Sequence, residues 1–372
     1  MQKTDLCIVG ASYAGLSCAR AAAARGLDVT VLEAKPALGL RPHTTGILVQ
    51  EALDHLPPEL PSALLRPVRG VRLYSPSLRS FDLQCKNYAF CAADTPALLR
   101  WMAEDLCRQH ASVSVRTKAR FQGAREQEGG LYLPAQDLFS RYLVGADGAR
   151  SSVARHFKLG RNRDYLIGME LEFTGHAHCD ERFLHVFVDS ELAPGYIGWV
   201  VPGVGITQVG LACRYPAHLA IEKFLEKIRP IFDFSTLRAL ERRGGLIPVG
   251  GVVSPLANRH ALLVGDAAGM VSPLTAGGIH KALELGALAG AAVAQHLQGQ
   301  GPSPERAVLA AAPRYRVKRQ LRRLANRGVS NAFVERVFGN VLFQRFAQLV
   351  FFHHQGLLSR EGWSAVMGKD GE

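Results

Sequence analysis

The opening stretch of the chain, up to Glu33, restricts the fold more than any other part. Leu6-Cys7-Ile8-Val9 is a short apolar run, as a strand buried on both faces requires, and it enters Gly10-Ala11-Ser12-Tyr13-Ala14-Gly15 directly. Leu16 to Arg25 is Ala-rich and helix-forming, Gly26 is a natural helix stop, and Val29-Thr30-Val31-Leu32 is a second apolar run with Glu33 at its carboxyl end. The pattern predicts strand, tight turn, helix and parallel strand, joined by a right-handed crossover. Gly10 permits the tight turn, and Gly15 lets the helix lie close to the strand. The helix N-terminus then offers free N–H groups and partial positive charge to a pyrophosphate. Serine stands in the middle place of the G-x-G-x-x-G pattern. Glu33, 23 residues beyond Gly10, is placed to accept both hydroxyls of an unphosphorylated adenosine ribose, such as that of FAD or NAD.

Two later segments repeat the logic of a buried strand that ends in an acid. Leu143-Val144-Gly145-Ala146-Asp147-Gly148-Ala149-Arg150-Ser151 is the first, with Asp147 either a ligand group or a cap of the local turn. Leu263-Val264-Gly265-Asp266-Ala267-Ala268-Gly269 is the second, continuing through Pro273, Gly277, Gly278 and Ile279 into a small-residue helix over about 278–297. An aspartate at a strand end can hold a ribityl hydroxyl. A glycine pair before a helix lets backbone approach a flat ring, and that helix N-terminus favours negative charge on it.

Between these segments, Thr45 to about Leu65 is expected to be helical, broken by Pro57, Pro58 and Pro61. Residues 67–90 read as strands, and Asp94 to Gln109 as a helix capped by Asp94 or Thr95. Residues 165–255 alternate with period two, as in Met169-Glu170-Leu171-Glu172-Phe173, which predicts an antiparallel sheet. The expected fold is α/β: a Rossmann-like FAD-binding layer (1–70, 96–164, 259–300), an inserted antiparallel β-sheet substrate domain (71–95, 165–258), and a helical C-terminal segment (301–372).

Taken in order, the three motifs resemble those of the p-hydroxybenzoate-hydroxylase-type FAD-dependent oxidoreductase superfamily. Within it the chain is most similar to the geranylgeranyl reductase group. Gly265 through Ile279 fits that group's late motif, G-D-A-A-G-x-x-x-P-x-x-x-x-G-I, and Pro194-Gly195-Tyr196-Ile197-Gly198-Trp199-Val200-Val201-Pro202 resembles its Y-x-W-x-F-P strand. The resemblance implies that Gly10, Ser12, Gly15, Glu33 and Ala34 bind the ADP half of FAD. It further implies that Gly265 and Asp266 hold ribitol or pyrophosphate, and that Pro273, Gly277, Gly278 and Ile279 line the isoalloxazine. Tyr196, Trp199 and Pro202 would face the substrate. The chain departs from the group in four places, the first being valine in place of phenylalanine at Val201. Tyr196 is displaced by one position, Arg41-Pro42-His43-Thr44-Thr45-Gly46-Ile47 lacks the group's cysteine, and the arginine usual before the Asp94–Gln109 helix is missing. Pyrophosphate neutralisation would then fall to Arg41, to Arg100 or to helix dipoles.

The implied activity is hydride transfer from flavin N5 to a carbon–carbon double bond of an isoprenoid or other lipid-like substrate. A nearby acid, with Tyr196, His43 and His280 as candidates, or water would supply the proton. No second nucleotide fingerprint occurs, so NAD(P)H or a reduced electron-transfer protein would act as a transient donor. The alternative on the same fold is a monooxygenase or halogenase-like enzyme for an aromatic or carrier-tethered substrate. A flavin-binding module without turnover is the non-enzyme reading.

Composition excludes several classes. Of 372 residues, 48% are apolar, a globular proportion that rules out a disordered or collagenous chain. No apolar run reaches membrane-spanning length, and the N-terminus has no signal-peptide pattern. The seven cysteines, Cys179 among them, form no C-x-x-C pair, which argues for reduced thiols in a cytoplasmic protein and against a metal site. Seven basic residues between Pro313 and Arg327 supply more than half of the net charge of +12. With no recognition module beside it, this patch argues against nucleic acid. As a helix it would put Arg316, Arg319, Arg323 and Arg327 near one face and Val317, Leu321 and Leu324 on another. With the aromatic-rich stretch that follows, residues 313–352 are candidates for peripheral contact with a membrane.

Overall fold

The structure is a computed structural model that describes residues 1–86, 88, 90–177 and 180–352; Cys179 and the chain beyond 352 lie outside the described residues. The chain divides into two compact units. One comprises Met1–Leu65, Ala93–Tyr165 and Gly245–Gln320; the other comprises Arg66–Ala92, Leu166–Gly244 and the chain from Leu321.

The first unit is built on a seven-stranded sheet. Its parallel part runs Val113–Arg116, Val29–Leu32, Gln2–Val9, Leu138–Gly145, Ala261–Leu263. The apolar runs Leu6–Val9, Val29–Leu32, Tyr142–Val144 and Ala261–Leu263 are buried, as a parallel sheet covered on both faces demands, while the edge strand Val113–Arg116 buries only Val113. Gln2–Val9 sits between the strand that follows it and a strand from the middle of the chain. Successive connections therefore leave it in opposite directions, which opens a crevice at its carboxyl end. The opening helix, Tyr13–Ala23, packs against the late helix, Ile279–Leu297. Contact is backbone to backbone. A methyl group on Gly286 would lie 2.4 Å from the Ala14 carbonyl oxygen, and one on Gly290 would lie 2.1 Å from that of Cys18. The helix expected from Thr45 is reduced to Gln50–Leu53, because Ile47–Leu48 is drawn into a three-stranded sheet with Phe90–Ala93 and Leu65–Val68; the break expected at Pro57, Pro58 and Pro61 is present, followed by a single turn at Ser62–Leu64. The helix Thr95–Gln109 forms as expected, with Asp94 Oδ1 accepting the Ala97 N–H at 3.0 Å.

In the second unit a seven-stranded sheet carries strands Gly70–Tyr74, Ser80–Gln84, Tyr165–Thr174, Phe183–Phe187, Gly198–Pro202, Ile206–Arg214 and Ala239–Pro248. Period-two alternation gives it two faces. One packs Phe173, Phe187, Val200, Val209 and Leu211 against Phe224 of the helix Ile221–Ile228 and against Phe232.

The basic helix forms at Arg316–Asn326, but its buried residue is not one its pattern suggests. Arg322 is buried and donates to the Gly195 carbonyl at 2.6 Å, whereas Val317 and Leu324 are exposed. A guanidinium can satisfy a buried carbonyl that an apolar side chain cannot, though Arg322 Nε is itself buried without a partner among the described residues; Arg316, Arg319, Arg323 and Arg327 are exposed and Leu321 is half-buried, as the pattern places them. Among the described residues no helix is long and apolar enough to cross a membrane.

Candidate functional site

Three strand ends bring the sequence motifs together. Register pairs Val9 with Gly145 and Gly145 with Leu263. Beyond the ladder, the Ala146 N–H donates to Val9 O at 2.8 Å and the Val264 N–H to Gly145 O at 3.0 Å. The turns carrying Gly10, Asp147 and Asp266 are thus side by side at the carboxyl edge of the sheet. Gly10 has φ +108, and a methyl group on it would meet the Ala146 carbonyl oxygen at 2.3 Å. Gly15 shows the close approach expected of it, since a methyl group there would lie 1.9 Å from Gly10 O. Gly265 leaves the same narrow clearance over Ala14.

Ser12 caps the opening helix through its backbone position alone, with no side-chain hydrogen bond to the helix. The helix amides therefore keep their capacity for an anion. Glu33 is fixed by two amides: Oε2 accepts the Ala11 N–H at 3.1 Å and Oε1 the Lys35 N–H at 2.8 Å. Each carboxylate oxygen retains a lone pair for a ribose hydroxyl. Ala34 and Arg41 are exposed beside it; Arg41 stands at φ 45, and its carbonyl accepts from Lys35 Nζ.

Asp147 is a cap. Its Oδ2 accepts from Ser152 N at 2.6 Å, Ser152 Oγ at 2.7 Å and Val153 N at 3.1 Å, starting the short helix Ser152–His156. Its Oδ1 is buried without a partner among the described residues. Asp266 is engaged through neither oxygen: among the described residues neither accepts a hydrogen bond, and its desolvated surroundings push its pKa up to about 6. An open, half-buried acceptor at this strand end fits a flavin hydroxyl. Asn162, which carries no sequence signature, links the central and late motifs by donating to Ala149 O at 3.1 Å and Asp266 O at 2.8 Å. Its own Oδ1 is buried without a partner.

After Gly269 the backbone folds back on itself. Ser272 N donates to Gly277 O at 3.0 Å, and Ala276 stands at φ 51. Pro273 is buried, Gly277 is exposed, and Gly278 caps the helix that Ile279 begins. His280 lies half-buried in its first turn, and His43 is an exposed neighbour of Gly245. With Asp266 open, Glu33 half-engaged and two helix N-termini presented, these residues fit FAD.

The Tyr196, Trp199 and Pro202 segment belongs to the second unit. Trp199 Nε1 donates to Glu170 Oε2 at 2.9 Å, and the indole lies on Gly210, where a methyl group would come within 2.0 Å of the ring. Arg243 binds Glu170 through Nε at 3.0 Å and through Nη2, and reaches Glu172 at 2.8 Å. Gln208 donates to Glu172 at 3.3 Å. The strand register explains this network, since Glu170, Gly210 and Trp199 stand abreast and Glu172, Gln208 and Val201 form the next row. Burial raises the Glu172 pKa. Tyr196 is held under the Arg322 guanidinium, 5.5 Å from its ring centroid, and burial pushes its phenol above the ordinary value. Pro202 is buried at the strand end. Alternation in the sequence exposed the pairing of Glu170 with Glu172 but gave no sign of Arg243, 73 residues away.

A parallel sheet with a switch-point crevice, two open helix starts and an acid held at a strand end fit a protein that binds a flavin nucleotide. Comparison with known proteins agrees: residues 5–146 match the FAD dependent oxidoreductase family. The chain is an FAD-dependent oxidoreductase, and within that class it is geranylgeranyl reductase-like. It is 28% identical over 316 residues to digeranylgeranylglycerophospholipid reductase 2 of Methanosphaera stadtmanae, covering 80% of this chain and 79% of the relative. A second relative, digeranylgeranylglycerophospholipid reductase 2 of Methanothermobacter thermautotrophicus, is 29% identical over 317 residues, again 80% and 79% of the two chains. Among solved structures, a geranylgeranyl bacteriochlorophyll reductase-like protein from Thermoplasma acidophilum shares the fold with a TM-score of 0.78, 21% identity and 91% coverage of both chains. A probable FAD-dependent monooxygenase from Pseudomonas aeruginosa shares it at 0.66, with 19% identity and coverage of 91% of this chain and all of that one.

Proposed function

We propose that the protein reduces carbon–carbon double bonds of an isoprenoid or other lipid-like substrate. The in-register convergence of the Gly10, Gly145 and Gly265 turns on one sheet edge supports the flavin cradle on which this reading rests. The reductase names of relatives aligned over about four-fifths of the chain support it. Bound FAD supplies the two-electron chemistry, a hydride at N5. The chain's own residues divide the remaining work. Glu33 and the opening helix N-terminus hold the adenosine and pyrophosphate, Asp266 holds ribitol, and the backbone around Pro273, Gly277 and Gly278 positions the ring.

Trp199 and Tyr196 act as the substrate wall, the indole locked by Glu170 and Gly210. Hydride addition to a double bond also requires a proton, which comes from Tyr196, His43, His280 or water. A buried phenol raised above its ordinary pKa stays protonated through neutral pH. Reducing equivalents arrive transiently, from NAD(P)H or from a reduced electron-transfer protein, because the sequence holds one nucleotide fingerprint.

The test is anaerobic single turnover. Dithionite-reduced holoprotein mixed with a geranylgeranyl lipid should regain its oxidised flavin spectrum, with a product two hydrogens heavier per bond reduced. Shared fold with a monooxygenase supports a second reading, hydroxylation. Substrate-dependent oxygen consumption together with a stable C4a oxygen adduct would overturn the reductase assignment in its favour.

A further inference from the structure

The surface of the last two described helices, Asn331–Phe338 and Val341–Phe351, is unlike the rest of the molecule. Twelve large apolar side chains are exposed among the described residues, and six of them lie between 324 and 346: Leu324, Val329, Phe333, Val341, Leu342 and Phe346. Leu342 is 74% exposed, Val341 58% and Phe333 56%. Loose packing does not explain this, because the inner faces are firmly held. Phe338 and Phe343 pack on Phe81, with ring centroids at 4.8 and 6.4 Å. Val334 and Ala347 are buried, and Gln348 Nε2 donates to Gln84 O at 2.6 Å. Asn331 Nδ2 donates to Asp189 Oδ1 at 3.1 Å, while its own Oδ1 accepts from Ser190 N at 2.8 Å. Helical spacing then leaves Leu342, Arg345 and Leu349 on the side of the last helix away from Phe343 and Ala347, with Phe346 at the flank; Leu342 and Phe346 are exposed, Arg345 and Leu349 half-buried.

Charge narrows the choice of occupant. From Leu321 to Phe352 the chain carries five arginines and one acid, Glu335. Arg322 is buried, and Glu335 is turned inward onto Arg79 and the Ser77 amide. Arg327 and Arg336 are exposed, and the segment has no second carboxylate to set against them. Aromatic and aliphatic side chains raised from a rigid base, with arginines among them and their one acid turned away, match the interface of an anionic bilayer: apolar groups enter the acyl boundary while guanidinium groups meet phosphates.

We propose that this face docks the protein on an anionic lipid surface, with Leu342 and Phe346 as inserting residues. The proposal stands apart from the reduction assigned above, because it is read by binding without turnover. Purified full-length holoprotein is sedimented with vesicles of phosphatidylcholine, with and without phosphatidylglycerol, at low and high salt. The wild type should pellet with the anionic vesicles and bind several-fold more weakly at high salt, where exposed charges are screened. The double substitution Leu342→Glu/Phe346→Glu should weaken partitioning by about tenfold or more, since two apolar anchors are lost and two like charges added. Leu309→Glu, an exposed position outside the face, should bind as wild type. Unchanged flavin content and melting temperature confirm that the double variant is folded. Absence of wild-type binding to anionic vesicles, or equal binding by the double variant, would overturn the proposal. So would a wild type that self-associates and ignores vesicles while the double variant is monomeric, which would make the face a contact between copies.

Discussion

Substituting Asp266 by asparagine tests the flavin cradle through protons rather than through colour alone. Asp266 accepts no hydrogen bond among the described residues, and desolvation pushes its pKa up to about 6. A flavin hydroxyl donating to this carboxylate favours the ionised form and pulls the pKa back towards the ordinary value of about 3.9. Binding is then linked to proton release. FAD affinity rises with pH through the apoprotein pKa and levels off above it. For a return of about two units, affinity at pH 5 should be roughly tenfold below that at pH 7. An asparagine side chain cannot ionise, so Asp266→Asn should bind FAD more weakly at pH 7, by about tenfold for one lost charge-assisted hydrogen bond, and its affinity should be flat over the same range. Fluorescence titration of apoprotein with FAD measures both curves. A wild-type affinity without pH dependence, or an equal slope in the variant, would refute the assignment of Asp266 as a flavin contact.

Other substitutions probe the scaffold. Gly290→Val places a side chain within about 2 Å of the Cys18 carbonyl and should cost at least about 3 kcal/mol by forcing the two long helices apart, read as a lower denaturation midpoint. Arg243→Met leaves Glu170 and Glu172 buried without their cation and should cost about 3–5 kcal/mol at pH 7. Because burial already raises the Glu172 pKa, the folded state binds protons more tightly than the unfolded chain, so this deficit should shrink as pH falls from 7 to 5; a deficit that grows on acidification would contradict the network. Glu170→Gln keeps an acceptor for the Trp199 indole, whereas Glu170→Leu removes it. Only the leucine variant should shift tryptophan emission and raise KM more than it lowers kcat; equal effects of the two would deny the positioning role.

The local chemistry of the cofactor layer was legible because it is written in contiguous residues. A strand buried on both faces must be apolar along its length, and a left-handed turn at Gly10 tolerates no side chain, so both leave marks readable one residue at a time. The helix expected from Thr45 shrank for the converse reason: Ile47 and Leu48 pair in a small sheet whose other strands lie elsewhere in the chain, and their local apolar spacing does not record that pairing. The basic helix keeps Arg316, Arg319, Arg323 and Arg327 outward and Leu321 half-buried, as its pattern suggests, but it also buries Arg322 against Gly195 O and leaves Val317 and Leu324 exposed.

By itself, then, the sequence determined the parallel layer, the three motif turns and the class of cofactor, all properties of short segments whose backbone conformation their own residues dictate. It took the packed fold to show that, among the described residues, Asp147 commits one carboxylate oxygen to a helix start and leaves the other buried without a partner, that Asp266 accepts nothing through either, that Asn162 ties two motifs together, and that Arg243 fixes the acid holding Trp199. Those outcomes depend on strand register and on which side chain reaches a buried partner first. That competition runs between residues many tens of positions apart, and no local pattern records its result.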